Sequence, residues 1–474
     1  MAFQTVPFNV VGGTYESRSK PISDQHTVNM YITVNEKGKD PISLQSFPGQ
    51  KLVSSVDGAV DRGRHNMNEV AYSVVDDTLY SINSAGVHSA VGGGLRIGGT
   101  DRCIFADDGD HLVVVADKVY VYTKSTNTLV INTNVNLVDV LSVTFIKSTF
   151  IYTTPNLSFV SQPLDPFAVD GLNAISAESN PDKLVRDYAF NQTIYRMGKR
   201  TGEPWYFSGV GKPPIDVIEG QQFSVGLGAI HTLANTDRAL YWLGDDKAIY
   251  RVSGGINERV SDDGISNSIE EMTTIDDSFG YTFTLQGMDF YLITFPSENK
   301  TFLLNEKLGV NGWTELSSGD GLAYSGTSAL SIYDKTYIGS GGKLLTLELN
   351  EFTQDTDTVF RRRTMLPITR KNIPSPIKGR KIQISNIEFV IEQGVGLITG
   401  QGEVPRMLLE LSLDGGRSFA HSQWVELGRL GEHTLEVDAD MMVVSDEITP
   451  RITVTDPVPF SISAGMVDIK AVAR

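Results

Sequence analysis

Seven histidines, at positions 26, 65, 88, 111, 231, 421 and 433, are the first candidates for metal or acid–base chemistry. No two stand four residues apart, the spacing that puts a zinc-binding pair on one helix face. The single cysteine, Cys103, offers no thiolate cluster. A metal centre is therefore not expected, nor any other cofactor. Cys103 cannot form an internal disulfide, and the strand-like Ile104-Phe105-Ala106 beside it predicts a buried thiol rather than a reactive one. No Gly-x-Ser-x-Gly elbow presents a serine nucleophile. Gly92-Gly93-Gly94 leads into neither a helix nor a Lys-Ser/Thr pair, so it does not read as a phosphate cradle. Asp107-Asp108-Gly109-Asp110 lacks the distal glutamate of a calcium loop and reads as an acidic hairpin turn. A glycosidase needs two carboxylates facing a cleft, and the 57 acidic residues are too scattered to single out a pair. The chain reads as a non-enzyme.

One short motif has a specific form. Ser412-Leu413-Asp414-Gly415-Gly416-Arg417-Ser418-Phe419 resembles the Asp box of sialidases, S-x-D-x-G-x-x-W, with Phe419 in the place of tryptophan. In those proteins the box is a hairpin turn tied by the aspartate side chain, and it is not catalytic. Ser412, Asp414, Gly416 and Phe419 are expected to make such a turn here. The motif also keeps a carbohydrate-active propeller open as an alternative function.

Charge narrows the partners. The formal net charge is −17, whereas a protein that grips nucleic acid shows a basic balance. Simple solubility explains the acidity, and so does a surface that lets DNA pass without holding it. Met1-Ala2-Phe3-Gln4 does not begin a charged and then apolar leader, and no apolar run approaches the roughly 20 residues of a membrane helix. Synthesis in a cytoplasm without signal-dependent export is the expectation.

The elements that must position these residues are strands. Runs of four to eight β-branched and aromatic residues alternate with Gly/Asp/Asn/Ser turns. Leu112–Val115 and Val119–Tyr122 turn at Asp117-Lys118; Ala239–Leu243 and Ala248–Val252 turn at Gly244-Asp245-Asp246; Phe290–Phe295 and Thr301–Leu304 turn through Pro296-Ser297-Glu298-Asn299. Such units open near Val70, Arg102, Leu141, Val185, Ile230, Phe279 and Leu322, at spacings of roughly 32–49 residues, about one four-stranded propeller blade. The predicted fold is all-β: a propeller of six or seven blades over residues 61–355, after an N-terminal arm at 1–60. A long array of sandwiches is the alternative, but radial closure better protects the edges of many short strands. From Thr358 to Ser385 the chain is basic and Pro-containing, without Asp or Glu. Residues 356–381 are read as an extended connector. Arg361, Arg362, Arg363, Arg370 and Lys371 are either simply solvated there or contact an acidic neighbour such as a second copy. Strands return over 382–474 in the rhythm of a small antiparallel sandwich.

Several stretches together resemble the packaged DNA stabilisation proteins of short-tailed phages, also called tail hub or tail accessory factors. Thr27-Val28-Asn29-Met30-Tyr31 followed by Ser46-Phe47-Pro48-Gly49 is similar to the family's N-terminal segment, with Asn29, Phe47, Pro48 and Gly49 as its marks. Tyr241–Asp246, Ile249–Val252, Glu258–Ser261, Phe290–Pro296 and Asn311–Glu315 follow in order. Arg361–Thr364, Glu392–Gly396, the Asp-box-like turn, Trp424–Gly428 and Thr455–Val458 complete the series. The resemblance implies a homohexameric ring in the virion tail, below the portal and its adaptor ring. It implies a role in retaining the packaged genome and attaching needle, plug or tailspike proteins, with DNA passing through without specific binding. It brings no catalytic residues. A cellular propeller scaffold remains the other non-enzymatic reading.

Overall fold

The computed structural model describes residues 2–19, 23–35, 37, 40–176, 182–373 and 381–472. The strand–turn–strand units form as hairpins. His111–Val115 pairs with Val119–Thr123, Leu240–Leu243 with Ile249–Ser253, and Met288–Phe295 with Lys300–Asn305. Their apolar runs are continuous rather than alternating because both faces of each sheet are covered by a neighbouring sheet. One α-helix, Asp263–Glu270, occurs among the described residues, its N-terminus capped by Asp262 accepting from the Ile265 amide at 2.7 Å.

Seven radial sheets succeed one another along the described chain, which is the upper of the two blade counts expected. They open with the strands Asp61–Met67, Ile104–Asp107, Ser142–Ile146, Leu184–Phe190, Ala234–Asn235, Phe279–Leu285 and Ser328–Ile332. Opening strands of successive blades lie against one another, the fourth and fifth meeting through the Tyr188 hydroxyl, which donates to Asn235 Oδ1 at 2.7 Å, and Ser328–Ile332 lies against Asp61–Met67, so the ring closes. Each blade then runs outward through antiparallel hairpins. The seventh blade contains Ser328–Ile332, Lys335–Ser340 and Lys343–Glu348, and takes its fourth strand, Gly49–Ser55, from the other end of the chain. That borrowed strand clasps the ring shut.

The rest of the chain is a sandwich. One sheet runs Met30–Val34, Ile42–Ser46, Ser461–Val472, Lys381–Ile391, Asp438–Ser445, with Gln4–Phe8 also paired to Ser461–Val472. The other runs Asp24–Val28, Arg361–Thr364, Glu447–Val454, Arg406–Ser412, His421–Glu426. They enclose a core that includes Phe8, Ile384, Phe389, Leu409, Ile452 and Ile469. The second sheet continues into blade six through a parallel bridge between Val28 and Glu315, so propeller and sandwich share a seam.

Two expectations change here. Residues 1–60 are not a free arm, because their described strands complete both the sandwich and blade seven. Nor is the described part of 356–381 an extended connector: Arg361–Thr364 is an interior strand between Asp24–Val28 and Glu447–Val454. A basic run reads as solvated in sequence, but a guanidinium can be buried when carbonyl oxygens saturate its donors. Pro374, Pro376, Lys378 and Arg380 lie outside the described residues.

Candidate functional site

The arginine triplet alternates along its strand, and the alternation decides its chemistry. Arg363 is fully buried and aims at the N-terminal segment. Its Nε donates to the Val10 carbonyl at 2.8 Å, Nη1 to the Gly13 carbonyl at 2.9 Å and Thr27 Oγ1 at 3.0 Å, and Nη2 to Gln25 Oε1 at 2.8 Å. Burial lowers its pKa to about 9. Gly12 is required by this packing, since a Cβ there would stand 2.6 Å from Arg363 Nη2. Arg361 is buried too and donates to the carbonyls of Val458 and Asp456. Only Arg362 turns outward, pairing with Asp320 at 2.9 Å. Arg361 and Arg363 are therefore out of reach of another subunit, because both are buried with their guanidinium ends bonded to acceptors inside this chain. Arg370 and Lys371 sit in a short 3-10 turn capped by Thr369.

Some of the motifs that carry the family resemblance meet at or beside the same seam. Asn29 adopts a left-handed conformation (φ 56°). Its amide nitrogen donates to the carbonyls of Ser317 and Phe360, and its side-chain oxygen accepts from the Ser317 amide at 2.9 Å. Phe47 packs edge-on against Phe283 and Tyr324. Pro48 is buried beside it, and a Cβ on Gly49 would lie 2.5 Å from the Thr353 carbonyl oxygen. Trp313 is buried and donates its indole N–H to the Val260 carbonyl at 2.7 Å, which joins two motifs far apart in sequence. His26 bridges Asp24 at 3.1 Å and Glu315 at 2.8 Å. Burial alone would lower its pKa, but the Glu315 charge and the hydrogen bonds to both carboxylates raise it to about 10.

The Asp-box-like turn lies at the edge of this seam. Ser412 Oγ donates to Asp414 Oδ1 at 2.6 Å and accepts from the Gly416 amide at 2.9 Å. Asp414 accepts from the Ser418 amide at 2.9 Å and the Ser418 hydroxyl at 2.5 Å. These bonds hold its carboxyl well below the usual range. Phe419 lies under the Arg451 guanidinium, 3.7 Å from the ring centroid, and Glu410 holds that guanidinium with two bonds of 2.9 and 3.0 Å. The arrangement locks a turn.

Sequence reasoning missed the propeller axis. Opening strands and the segments leading into them line a cavity of about 390 Å³ there. Arg64, Arg102 and Arg186 face it together with His65 and His231, and the only carboxylate among the lining residues, Asp107, is held by His65 at 2.6 Å. Burial lowers the pKa of Arg102 and brings Arg186 to about 10. Burial, and then the charges of Arg102 and Arg186, lower His231 to about 3, so its imidazole is neutral. A signal existed in the sequence: Arg102 opens a unit, and Arg186 and His231 each lie one residue past an opening. The opening strand is the innermost one. Cys103, beside Arg102, is buried, and burial raises its thiol to about 12. Among the described residues no cluster of three or more His, Cys, Asp or Glu could hold a metal ion, and no helix is long and apolar enough to cross a membrane.

Seven radial sheets closed by an N-terminal strand and fused to a sandwich define a β-propeller protein, some of whose sequence motifs serve its internal seam. The family model described as a phage stabilisation family, "Bacteriophage P22 Gp10, beta-propeller", matches residues 4–353, and the chain belongs to that family. It is a structural protein of the phage tail. No curated protein matches it in sequence. Among solved structures, the computationally designed Ika8 protein is 12% identical over 68% of this chain and 99% of its own, with a TM-score of 0.40. A chain of a mitotic checkpoint complex is 13% identical over 67% and 96%, at 0.43. BamB from Moraxella catarrhalis is 8% identical over 73% and 96%, at 0.39. None of these bears on function.

Proposed function

We propose that this chain is a tail hub. In this reading copies of it, six if the family resemblance holds, form a ring below the portal and adaptor. The ring extends the DNA channel, retains the packaged genome and offers attachment for needle, plug or tailspike proteins. The observation that carries the reading is the family match over residues 4–353. The net charge of −17 supports it, because a wall that DNA must slide past should not bind phosphate strongly. No catalytic step belongs to this role, and the virion tail is its place. The test is to assemble particles without the protein. Heads that fill with DNA and then lose it, and regain stability when purified protein is added, are expected. Stable, infectious particles lacking the chain would overturn the proposal, and so would turnover of a glycan by the purified protein that depends on a facing pair of carboxylates.

A further inference from the structure

Buried arginines of this chain differ in how fully their donors are used. Arg62 and Arg363, both fully buried, each make four hydrogen bonds to fixed acceptors: Arg62 donates to the carbonyls of Asp101, Asp76, Ile97 and Gly98. These are structural cross-links with their donors occupied. Arg102 and Arg186 differ. Arg102 makes one hydrogen bond, to the Thr327 carbonyl at 2.6 Å, and lies over the Phe279 ring at 4.1 Å. Arg186 makes one, to the Ile230 carbonyl at 2.8 Å, and its Nε is buried with no partner. A guanidinium has five N–H donors. Neither has a carboxylate within ion-pair distance among the described residues, in a chain with 57 acidic residues to choose from. Both face the same axial cavity as His231, whose imidazole feels both charges.

Two under-coordinated cations held in a partly desolvated cavity are unfavourable without a counter-charge. Fixed N–H donors around a concave polar site, at the axis of a ring of rigid strands, are the features of an anion site. We propose that the propeller axis binds a small phosphate-type oxyanion, held between the guanidinium groups of Arg102 and Arg186 with His231 as a third hydrogen-bond donor. At about 390 Å³ the cavity admits an inorganic phosphate or a small phosphorylated molecule and excludes a duplex. The site is built from one chain's own strands, so it does not depend on the proposed hub role.

The test is calorimetric titration of the full chain with inorganic phosphate in chloride buffer at constant ionic strength. Saturable one-site binding with a Kd below about 1 mM is expected. Arg102→Gln and Arg186→Gln should each weaken it by about 10- to 100-fold through loss of a charge-assisted hydrogen bond. Absence of saturation, or an affinity in either variant unchanged from that of the unmodified protein, would overturn the proposal. If the variants fail to fold, the imidazole resonances of His231 in the unmodified protein decide it: movement on adding phosphate but not chloride supports the site, and no movement refutes it. Competition by a short single-stranded oligonucleotide would make a nucleic-acid backbone the source of the phosphate. Lack of competition would make it a free ion or small molecule.

Discussion

Replacing Arg363 by Met keeps the length of the side chain and removes its donors. Four acceptors then lose their donor, two of them in fully buried contacts: the carbonyls of Val10 and Gly13, Thr27 Oγ1 and Gln25 Oε1. Hydrogen bonds to a charged group contribute about 1.5–3 kcal/mol each. Part of that is offset because a buried guanidinium no longer needs desolvation, a penalty of several kcal/mol. The expected net loss is about 3–5 kcal/mol, the range found when one member of a buried charged set is removed. Denaturant unfolding followed together with amide exchange reads it. The midpoint should fall, and exchange should quicken over residues 10–28, which Arg363 ties to the sandwich. Arg363→Lys, which keeps the charge but loses the planar fork, should fall between the two. An unchanged midpoint with unchanged exchange, as for a surface substitution worth within about 0.5 kcal/mol, would refute the assignment of Arg363 as an internal tie.

Reversing Arg361, Arg362 and Arg363 together to Glu should prevent folding of the sandwich, seen as aggregation or loss of cooperative unfolding, whereas Arg362→Glu alone should change stability by about 1 kcal/mol or less because its partner Asp320 is 75% exposed. His26 stabilises the seam in a pH window. Its folded pKa is raised from 6.5 to about 10, so its contribution is fully present below about pH 6.5 and lost as pH rises toward 10. Unfolding midpoints measured across that range should fall more steeply in the unmodified protein than in His26→Gln. Gly49→Ala should destabilise the closure of blade seven by about 1–3 kcal/mol, read by faster exchange in Lys343–Glu348, because the added methyl meets the backbone at 353 and 351. Asp414→Ala should raise protease sensitivity at residues 412–419 without unfolding the propeller, since each bond it makes lies within its own turn.

What the sequence disclosed and what it hid follow from the range of each interaction. The hairpins at 112–122, 240–252 and 290–304 were legible because pairing there is local and both faces are buried, which leaves unbroken apolar runs. Sequence spacing puts the opening of the first blade near Val70, whereas the innermost strand is Asp61–Met67. Its residues Asp61, Arg62, Gly63, Arg64 and His65 are polar, and a buried strand rich in charge carries no hydrophobic signature. The clasp of Gly49–Ser55 on Lys343–Glu348 joins segments almost 300 residues apart, and nothing local in either announces the other. Arg361 and Arg363 deceived for a related reason. Their compensation comes from backbone carbonyls at 10, 13, 456 and 458, and carbonyls have no letter in a sequence. The Asp-box-like turn was readable because the hydrogen bonds of Ser412 and Asp414 stay within residues 412–418.

Electron cryo-microscopy of purified phage tails, with this chain located by its seven-bladed outline, tests the central claim most directly. The expected result is a closed ring of several copies beneath the head, around a channel wide enough for duplex DNA and walled mainly by acidic and neutral side chains. A tail in which the protein is absent, or sits as isolated copies away from the channel, or lines that channel chiefly with Lys and Arg, would contradict it.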